Sequence, residues 1–156
     1  AALLRGSLER GAQAFVFVPQ IARLDPELHR LRQQLAAWAE PGRIDATSSQ
    51  DPERADKVLR LRSGDIRVLL TTTILERGVT IPKADVYVLG ADSRLFDAAA
   101  LVQMAGRAGR STQDPYGQVR FLAKHRTRAQ AEAIRQIRAM NKLAARSGYL
   151  VKEGQA

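Results

Sequence analysis

The feature that most constrains the fold of this sequence is a regular alternation of short apolar runs with longer amphipathic segments. Five runs predict strands, at 14–18, 43–47, 66–72, 85–90 and 117–123. Short apolar runs of this kind are typical of strands buried on both faces. Strands that alternate with helices form a parallel sheet covered on both sides. We therefore predict an α/β fold with a mainly parallel sheet, in which ligands gather at the carboxyl ends of the strands.

Local signals predict where the intervening helices begin and end. Asp25–Glu27 and Asp51–Glu53 each combine a capping side chain, a proline and an acid, which is typical of a helix start. Gly64 fits a helix C-terminus, and Asp97 begins a further helix that continues to about Met104. We expect the last helix to dock on the sheet, with a groove on a partner as the alternative. The predicted apolar stripes are Leu28, Leu31, Leu35 and Trp38 in the first helix, Val58, Leu59 and Leu61 in the second, and Ile134, Ile137, Met140 and Leu143 in the last.

A length of 156 residues suits one domain with its own core. We expect residues 1–156 to form a single lobe, with the core at about 12–122 and a closing helix at about 126–146. Residues 1–10 predict a helix that begins inside a domain. We therefore expect the chain to be part of a longer protein.

The composition excludes several classes of site. The sequence has no cysteine, so it can form neither disulfides nor cysteine-ligated metal sites. His29 and His125 are isolated in sequence, and we expect no metal site. No signal segment opens the chain, and no apolar run is long enough to cross a bilayer. We expect a cytoplasmic protein, which partner proteins could bring to the inner face of the cell membrane.

The formal net charge is +9 and the pI is about 10.8. A basic protein attracts polyanions, but an arginine-rich, solvated surface explains the charge equally well. Aromatic residues make up only 5% of the chain. If the partner is a nucleic acid, this scarcity favours contacts to phosphates over stacking on bases.

Hydroxyl side chains mark the end of the third predicted strand. Thr71, Thr72 and Thr73 follow one another there, and Arg77 and Gly78 come shortly after. Hydroxyls and free backbone N–H groups at a strand-to-helix junction can bind phosphate. The alternative is that three β-branched residues simply follow strand propensity.

A second motif joins glycines to arginines at the end of the predicted helix that begins at Asp97. Gly106 and Gly109 allow the backbone to approach a ligand closely. Arg107 and Arg110 carry planar guanidinium groups that match phosphoryl oxygens and stabilise charge on a transferring phosphate. A basic surface turn is the alternative interpretation.

Together the two motifs resemble a known family. The segments "LLTTTILERGVTIP" and "QMAGRAGR" are similar to the T-x4-R-G and Q-x-x-G-R-x-G-R elements of the second RecA-like lobe of superfamily-two helicases. The resemblance extends to "FVFVP" and to residues 46–70, and covers about 12–122. It implies a RecA-like three-layer sandwich. In that family the first element touches the nucleic-acid backbone, and the second carries an arginine finger at an ATP site between two lobes.

A narrower resemblance is to the ComFA family of late-competence ATPases from naturally transformable Gram-positive bacteria. It rests on the segments 71–92, 96–119 and 133–150. Thr80 stands where most of the superfamily has aspartate, and Gln103 stands where DEAD-box enzymes have histidine. Both departures argue against an RNA-directed DEAD-box enzyme. The cysteine zinc motif near the N-terminus of ComFA proteins is missing here, as expected for a C-terminal lobe alone.

The resemblance implies a role for each matching residue. Arg110 would be the arginine finger, with Arg107 beside it on the phosphates and Gln103 supporting the same site. Arg77 would brace the strand ends through Asp92. The residues expected along the nucleic-acid backbone are Thr72, Thr73 and Gly78, together with Pro19, Gln20 and Ser48, which follow other strand ends.

The sequence contains neither a G-x-x-x-x-G-K-[ST] phosphate loop nor an acidic metal-binding quartet. ATP and Mg²⁺ would therefore be held mainly by an N-terminal RecA-like lobe, and this lobe alone should not hydrolyse ATP. The resemblance implies the C-terminal motor lobe of an ATP-dependent translocase that moves single-stranded DNA during uptake, with other DNA-uptake proteins as partners. The alternatives are the same lobe of a replication-restart or repair helicase, and a basic nucleic-acid-binding module without catalysis.

Overall fold

A computed structural model of the chain describes residues 2–72, 81, 83–107 and 118–146, the last six of these by backbone alone. Two short 3₁₀ turns, Ile21–Arg23 and Pro41–Arg43, accompany the main elements. In chain order, these are α1 (Ala2–Glu9), β1 (Gln13–Phe17), α2 (Leu24–Gln34), β2 (Ile44–Thr47), α3 (Arg54–Ser63), β3 (Val68–Thr71), β4 (Ala84–Leu89), α4 (Ala98–Ala105), β5 (Val119–Leu122) and α5 (Arg128–Arg146).

The five strands form one sheet in the order β2-β3-β1-β4-β5, and every neighbouring pair is parallel. Thr71 at the end of β3 stands opposite both Thr47 of β2 and Phe17 of β1, and Phe17 stands opposite Val88 of β4. The strands therefore end together, along what we call the carboxyl edge of the sheet. The predicted parallel α/β fold is confirmed.

Helices cover both faces of the sheet because successive side chains of each strand point to opposite sides. Phe15 and Phe17 of β1 face one layer, and Ala14 and Val16 face the other. The first layer contains Val58 and Leu61 of α3, Leu101 and Met104 of α4, and Ala133 of α5, whereas the second contains Leu4 and Leu8 of α1 and Leu24 and Leu31 of α2. This is the three-layer sandwich that the resemblance implies.

The edge strand β2 is protected by basic side chains. Arg32 Nε donates to the carbonyl oxygen of Ile44 at 2.9 Å, and Lys57 Nζ donates to that of Ala46 at 2.8 Å. Cations on an edge strand discourage pairing with another chain. Because β2 is an edge strand, these two carbonyl groups have no neighbouring strand from which to accept a hydrogen bond.

Two helix starts differ from the prediction. The first 3₁₀ turn leads directly into α2, so α2 begins at Leu24 and Asp25 does not cap it. Glu53 occupies the N-cap position of α3 without a side-chain hydrogen bond. The carboxylate of Asp51 instead accepts from the backbone N–H of Glu53 at 2.9 Å and forms a turn before the helix. Two predicted ends are confirmed, because Gly64 ends α3 with φ 91° and Asp97 caps α4 by accepting from Ala100 N at 2.8 Å.

The predicted apolar stripes are wrong at four positions. Trp38 lies beyond the end of α2, is 41% exposed, and packs under the guanidinium of Arg5 at 5.3 Å. Leu59, on the outer side of α3, is 61% exposed. In α5 the buried apolar positions are Ala133 and Ile137, and the side chains at 134 and 140 are exposed. The side chain of Leu143 lies outside the described residues. Among the described helices, none is both long and apolar enough to cross a membrane.

Candidate nucleic-acid and nucleotide interface

Four neighbouring strand ends bring the predicted backbone-binding residues, and Asp92 as the predicted partner of Arg77, to the carboxyl edge. Ser48 follows β2, Thr72 follows β3, Pro19 and Gln20 follow β1, and Asp92 follows β4. Neighbouring strands lie about 4.8 Å apart, so these residues span roughly 15 Å along one edge. Gln20 is exposed, whereas Pro19, Thr72 and Asp92 are half-buried. The structure thus places the described members of this predicted set in one row.

Ser48 differs from the others because it is buried, at 7% exposure. Its hydroxyl oxygen accepts from the backbone N–H of Gln50 at 3.3 Å, and its carbonyl accepts from that of Asp51 at 3.1 Å. Ser48 therefore shapes the β2–α3 turn, and the exposed side chain of Gln50 lies next to it. No sequence motif marks Gln50 as a site residue.

A half-buried ion pair fixes the same turn. Lys57 Nζ contacts the Asp51 carboxylate at 2.8 Å, and Thr47 Oγ1 donates to that carboxylate at 2.8 Å. The hydrogen bond from Lys57 holds the pKa of Asp51 below its usual range. Burial lowers the pKa of Lys57, but its hydrogen bond to Asp51 and the charge of Asp45 outweigh burial and raise it. The repeated Asp-Pro-Glu signal was read only as a helix start, and this pair was missed.

Gly90 joins two loops at the carboxyl edge. It follows β4 and has a φ of 61°, a conformation that glycine adopts without strain. A Cβ atom on this residue would lie 3.0 Å from Arg23 Nη1 and 3.3 Å from Pro19 Cγ. The β1–α2 and β4–α4 loops are therefore packed closely here, and this contact fixes the position of Pro19.

Burial and a backbone hydrogen bond hold the end of β3 in place, up to the residue where the T-x4-R-G motif begins. Thr71 is fully buried, and its carbonyl oxygen accepts from Val18 N at 2.9 Å. Thr72 is the first residue past the strand. The other predicted members of this motif, Thr73, Arg77 and Gly78, lie outside the described residues, and so does the predicted Arg77–Asp92 contact.

Helix α4 presents the start of the second motif. Its buried residues Leu101, Met104 and Ala105 face the core, and Gln103 is exposed. Arg107 follows one turn after Gln103 and is half-buried. Burial lowers the pKa of Arg107, although an arginine remains charged at neutral pH. Arg107 lies beyond the end of α4, where its backbone N–H donates to the carbonyl oxygen of Met104 at 3.1 Å, so Gln103 and Arg107 stand at the same end of the helix. Arg110, the predicted finger, lies outside the described residues.

Gly106 ends α4, and its predicted close approach to a ligand stays a prediction. Its φ of −63° and ψ of −10° are right-handed helical values, which any residue adopts. A Cβ atom here would lie 3.3 Å from the backbone oxygen of Gln103, closer than most real contacts. The glycine therefore relieves crowding at the end of α4, and its conformation does not need the freedom that only glycine has.

Within the described part of the chain, no three His, Cys, Asp or Glu side chains gather closely enough to hold a metal ion. His29 and His125 are both exposed. What the described site offers chemically is a row of hydroxyl, amide and backbone groups at the carboxyl edge and a half-buried guanidinium at the end of α4. Both suit phosphate oxygens.

Comparison with known proteins agrees with this architecture. Residues 1–112 match the model of the helicase conserved C-terminal domain. The chain is 38% identical over 142 residues to competence protein ComFA of Bacillus subtilis, and 41% identical over 100 residues to ComFA of Streptococcus pneumoniae. These matches cover 89% and 64% of this chain but only 29% and 23% of the relatives. The DNA helicase RecG of Thermotoga maritima is 31% identical over 121 residues, which are 72% of this chain and 15% of that protein.

Solved structures show the same fold at low sequence identity. The helicase MrfA bound to DNA superposes with a TM-score of 0.65 at 23% identity, over 90% of this chain and 20% of MrfA. RecG bound to a three-way DNA junction gives 0.61 at 21% identity, over 99% of this chain and 21% of RecG. Domain 2 of the DEAD-box helicase Mss116p, bound to an RNA duplex, superposes with a TM-score of 0.59 at 18% identity, over 78% of this chain and 51% of that chain.

The match over residues 1–112, the two motifs and the parallel five-stranded sandwich lead to one conclusion: this chain belongs to the helicase conserved C-terminal domain family and has the fold of the second RecA-like lobe of superfamily-two helicases.

Proposed function

We propose that this chain is the C-terminal motor lobe of an ATP-dependent translocase that draws single-stranded DNA into the cell during natural transformation. The observation that carries the proposal is the 38% identity to a ComFA protein over 89% of the chain, which includes both helicase motifs. The chain spans less than a third of that relative. The remaining parts of the motor would belong to an N-terminal RecA-like lobe.

The carboxyl edge supports the DNA-binding part of the proposal. Thr72, Gln20 and Pro19 would contact the sugar-phosphate backbone, with Ser48 shaping the adjoining turn and Thr73 and Gly78 extending the row. Their side chains are small or neutral, which suits a strand that must slide. Electrostatic attraction would come from the basic chain as a whole, whose net charge is +9.

The end of α4 supports the nucleotide-binding part. ATP would be the substrate, with its phosphates and Mg²⁺ held mainly by the N-terminal lobe. Arg110 would reach the γ-phosphate as the arginine finger, and Arg107 would lie beside it. Gln103, near the end of α4, would support the same phosphate site. The partial burial of Arg107 suits this role, because a poorly hydrated guanidinium attracts an anion more strongly.

The test uses the complete protein to which this lobe belongs. We expect Arg110→Ala to lower kcat for DNA-stimulated ATP hydrolysis by about 10³-fold, because an arginine finger contributes at least this much. Nucleotide affinity should change much less. Arg110→Lys should be nearly as damaging, since lysine lacks the planar fork. Arg43→Ala, which removes an exposed arginine near the opposite edge of the sheet, is the matched control. Wild-type kcat for Arg110→Ala at saturating DNA would refute the finger assignment and favour a non-catalytic basic module.

A second candidate is the same lobe in a replication-restart or repair helicase. It is favoured by the 31% identity to RecG and by the match of 99% of this chain to RecG on a three-way junction. The two candidates differ in substrate. A DNA-uptake motor should hydrolyse ATP fastest on single strands, whereas a repair helicase should be stimulated more by branched DNA. Phosphate release measured on both substrates separates them.

A further inference from the structure

The positive charge of this chain is concentrated in its last structural unit. Residues 118–146, which form β5 and α5, contain eight lysines and arginines and a single acid, Glu132. They therefore carry a formal charge of +7 out of the total of +9. Over the rest of the chain cations and acids nearly balance, and several are paired, as in Arg10 with Asp85 and Lys57 with Asp51.

The cations of α5 lie on one side of the helix. Arg128, Arg135 and Arg138 are all exposed. At 3.6 residues per turn, these three positions fall within an arc of about 80°. We call this set the basic stripe. The opposite side carries the residues that pack on the core, Gln130, Ala133 and Ile137. Glu132 pairs with Arg135 at the margin of the stripe.

The basic stripe begins at the carboxyl edge. The carbonyl oxygen of Leu122, at the end of β5, accepts from Ala91 N at 3.0 Å, so β5 ends beside β4 in the same row of strand ends. Lys124 and Arg126 follow, both exposed, and α5 starts at Arg128. A 19-residue helix is about 27 Å long. The stripe therefore continues the row of strand ends with a series of cations.

The chemistry of the stripe favours a nucleic-acid backbone over other polyanions. All three described cations are arginines, which match phosphate oxygens with a planar fork. An anionic membrane would require large apolar side chains beside the cations. Among the α5 side chains that the structure describes, the large exposed apolar residues are Ile134 and Met140. They lie about 120° apart around the helix axis, on the two flanks of the buried side, and so form no continuous apolar surface.

We propose that the basic stripe of α5 is a second contact for the sugar-phosphate backbone of single-stranded DNA, beyond the carboxyl edge. The strand would leave the row of strand ends at β5 and continue along α5. The choice of single-stranded DNA rests on the proposed function, whereas the location of the contact rests on the distribution of charge.

The test is a salt titration with the 156-residue chain. Binding of fluorescein-labelled oligo(dT) is followed by fluorescence anisotropy between 50 and about 300 mM NaCl. One variant combines Arg128→Gln, Arg135→Gln and Arg138→Gln. The matched control combines Arg30→Gln, Arg43→Gln and Arg62→Gln, three exposed arginines outside the β5–α5 unit, with the same loss of charge. Circular dichroism melts verify that both variants fold. Each phosphate contact contributes about 0.7 to the steepness of the plot of log K against log salt. The plot for the stripe variant, which lacks three contacts, should therefore be less steep by about 2, and the plot for the control should hardly change.

Two additional arms identify the ligand and the role of charge. Replacing the same three arginines by lysine should retain most of the slope, because a lysine still neutralises a phosphate. Vesicles containing phosphatidylglycerol should bind the chain only weakly. Equal slopes for the stripe variant and its control would overturn the inference but leave the carboxyl-edge proposal standing. The inference would also be overturned if the stripe variant lost vesicle binding while its DNA binding stayed unchanged. If the unmodified chain fails to bind oligo(dT) even at low salt, both proposals fall.

Discussion

The buried carboxylate of Asp85, near the start of β4, accepts a hydrogen bond of 2.8 Å from the backbone N–H of Gln118. Gln118 lies immediately before β5, at the end of the segment that contains Arg110. The same carboxylate also accepts from Ser7 Oγ and Arg10 Nη2, each at 2.5 Å. Asp85 therefore ties helix α1 and the start of β5 to the centre of the sheet, and fixes the point at which the arginine-bearing segment returns to it.

We expect Asp85→Ala to lower the free energy of unfolding by about 2–4 kcal/mol, because it removes a buried carboxylate that accepts hydrogen bonds from Ser7, Arg10 and Gln118. The substitution would also take this acceptor from the buried hydroxyl of Ser7 and from the backbone N–H of Gln118. Urea unfolding measures the effect. Asp65→Ala, at an exposed position before β3, should change stability by less than about 0.5 kcal/mol. Equal stability of the two variants would mean that the Asp85 contacts contribute nothing net.

We expect Gly90→Ala to lower the free energy of unfolding by about 1–2 kcal/mol, since an L-residue at φ 61° is strained. The added methyl group would also press on Arg23 and Pro19. Gly42→Ala is the matched control, because nothing lies within 4 Å of the Cβ atom that it would add. Thermal unfolding compares the two, and an unchanged midpoint for Gly90→Ala would contradict the close packing of the two loops.

The pair Asp51 and Lys57 predicts a pH dependence. The pKa of Asp51 is lower in the folded state than its ordinary value of 3.8, so the ionised carboxylate stabilises the fold above that value. This contribution should disappear as the pH falls through the lowered pKa. Urea unfolding should therefore show Asp51→Asn less stable than wild type at pH 7 and the difference shrinking below pH 3.8. On the alkaline side, the pKa of Lys57 is raised above its ordinary value of 10.5. The stabilisation from this ion pair should therefore be lost only when the pH rises through that raised pKa.

We expect the 156-residue chain alone to show no ATP hydrolysis above background, with or without single-stranded DNA. Its sequence has no phosphate loop and no acidic quartet to position Mg²⁺ and ATP. A steady-state phosphate-release assay tests this, with the complete protein as the positive control. Robust turnover by the pure chain would show that one lobe suffices and would refute its proposed dependence on an N-terminal lobe.

The sequence by itself determined the fold class and the strand positions. Runs such as 14–18 and 86–89 are apolar without interruption, and only a strand buried on both faces or a buried helix tolerates such a run; their shortness excludes a helix. The same pattern placed Pro19, Gln20, Thr72 and Ser48 after strand ends, because residues that follow parallel strands must meet at one edge. Family membership also followed from sequence, since both motifs are contiguous.

Only the tertiary structure decided which side chains share an environment. Hydrophobic periodicity reports the face of an ideal helix, but burial depends on where the helix ends and what covers it, so Trp38 and Leu59 are exposed although both suit a buried stripe. Two partners of Asp85, Ser7 and Arg10, are 78 and 75 residues away in sequence, and no local pattern indicates that they meet. The role of Gly90 likewise depends on the approach of the β1–α2 loop. Contacts between distant segments are set by how the layers pack, and this packing is a property of the whole chain.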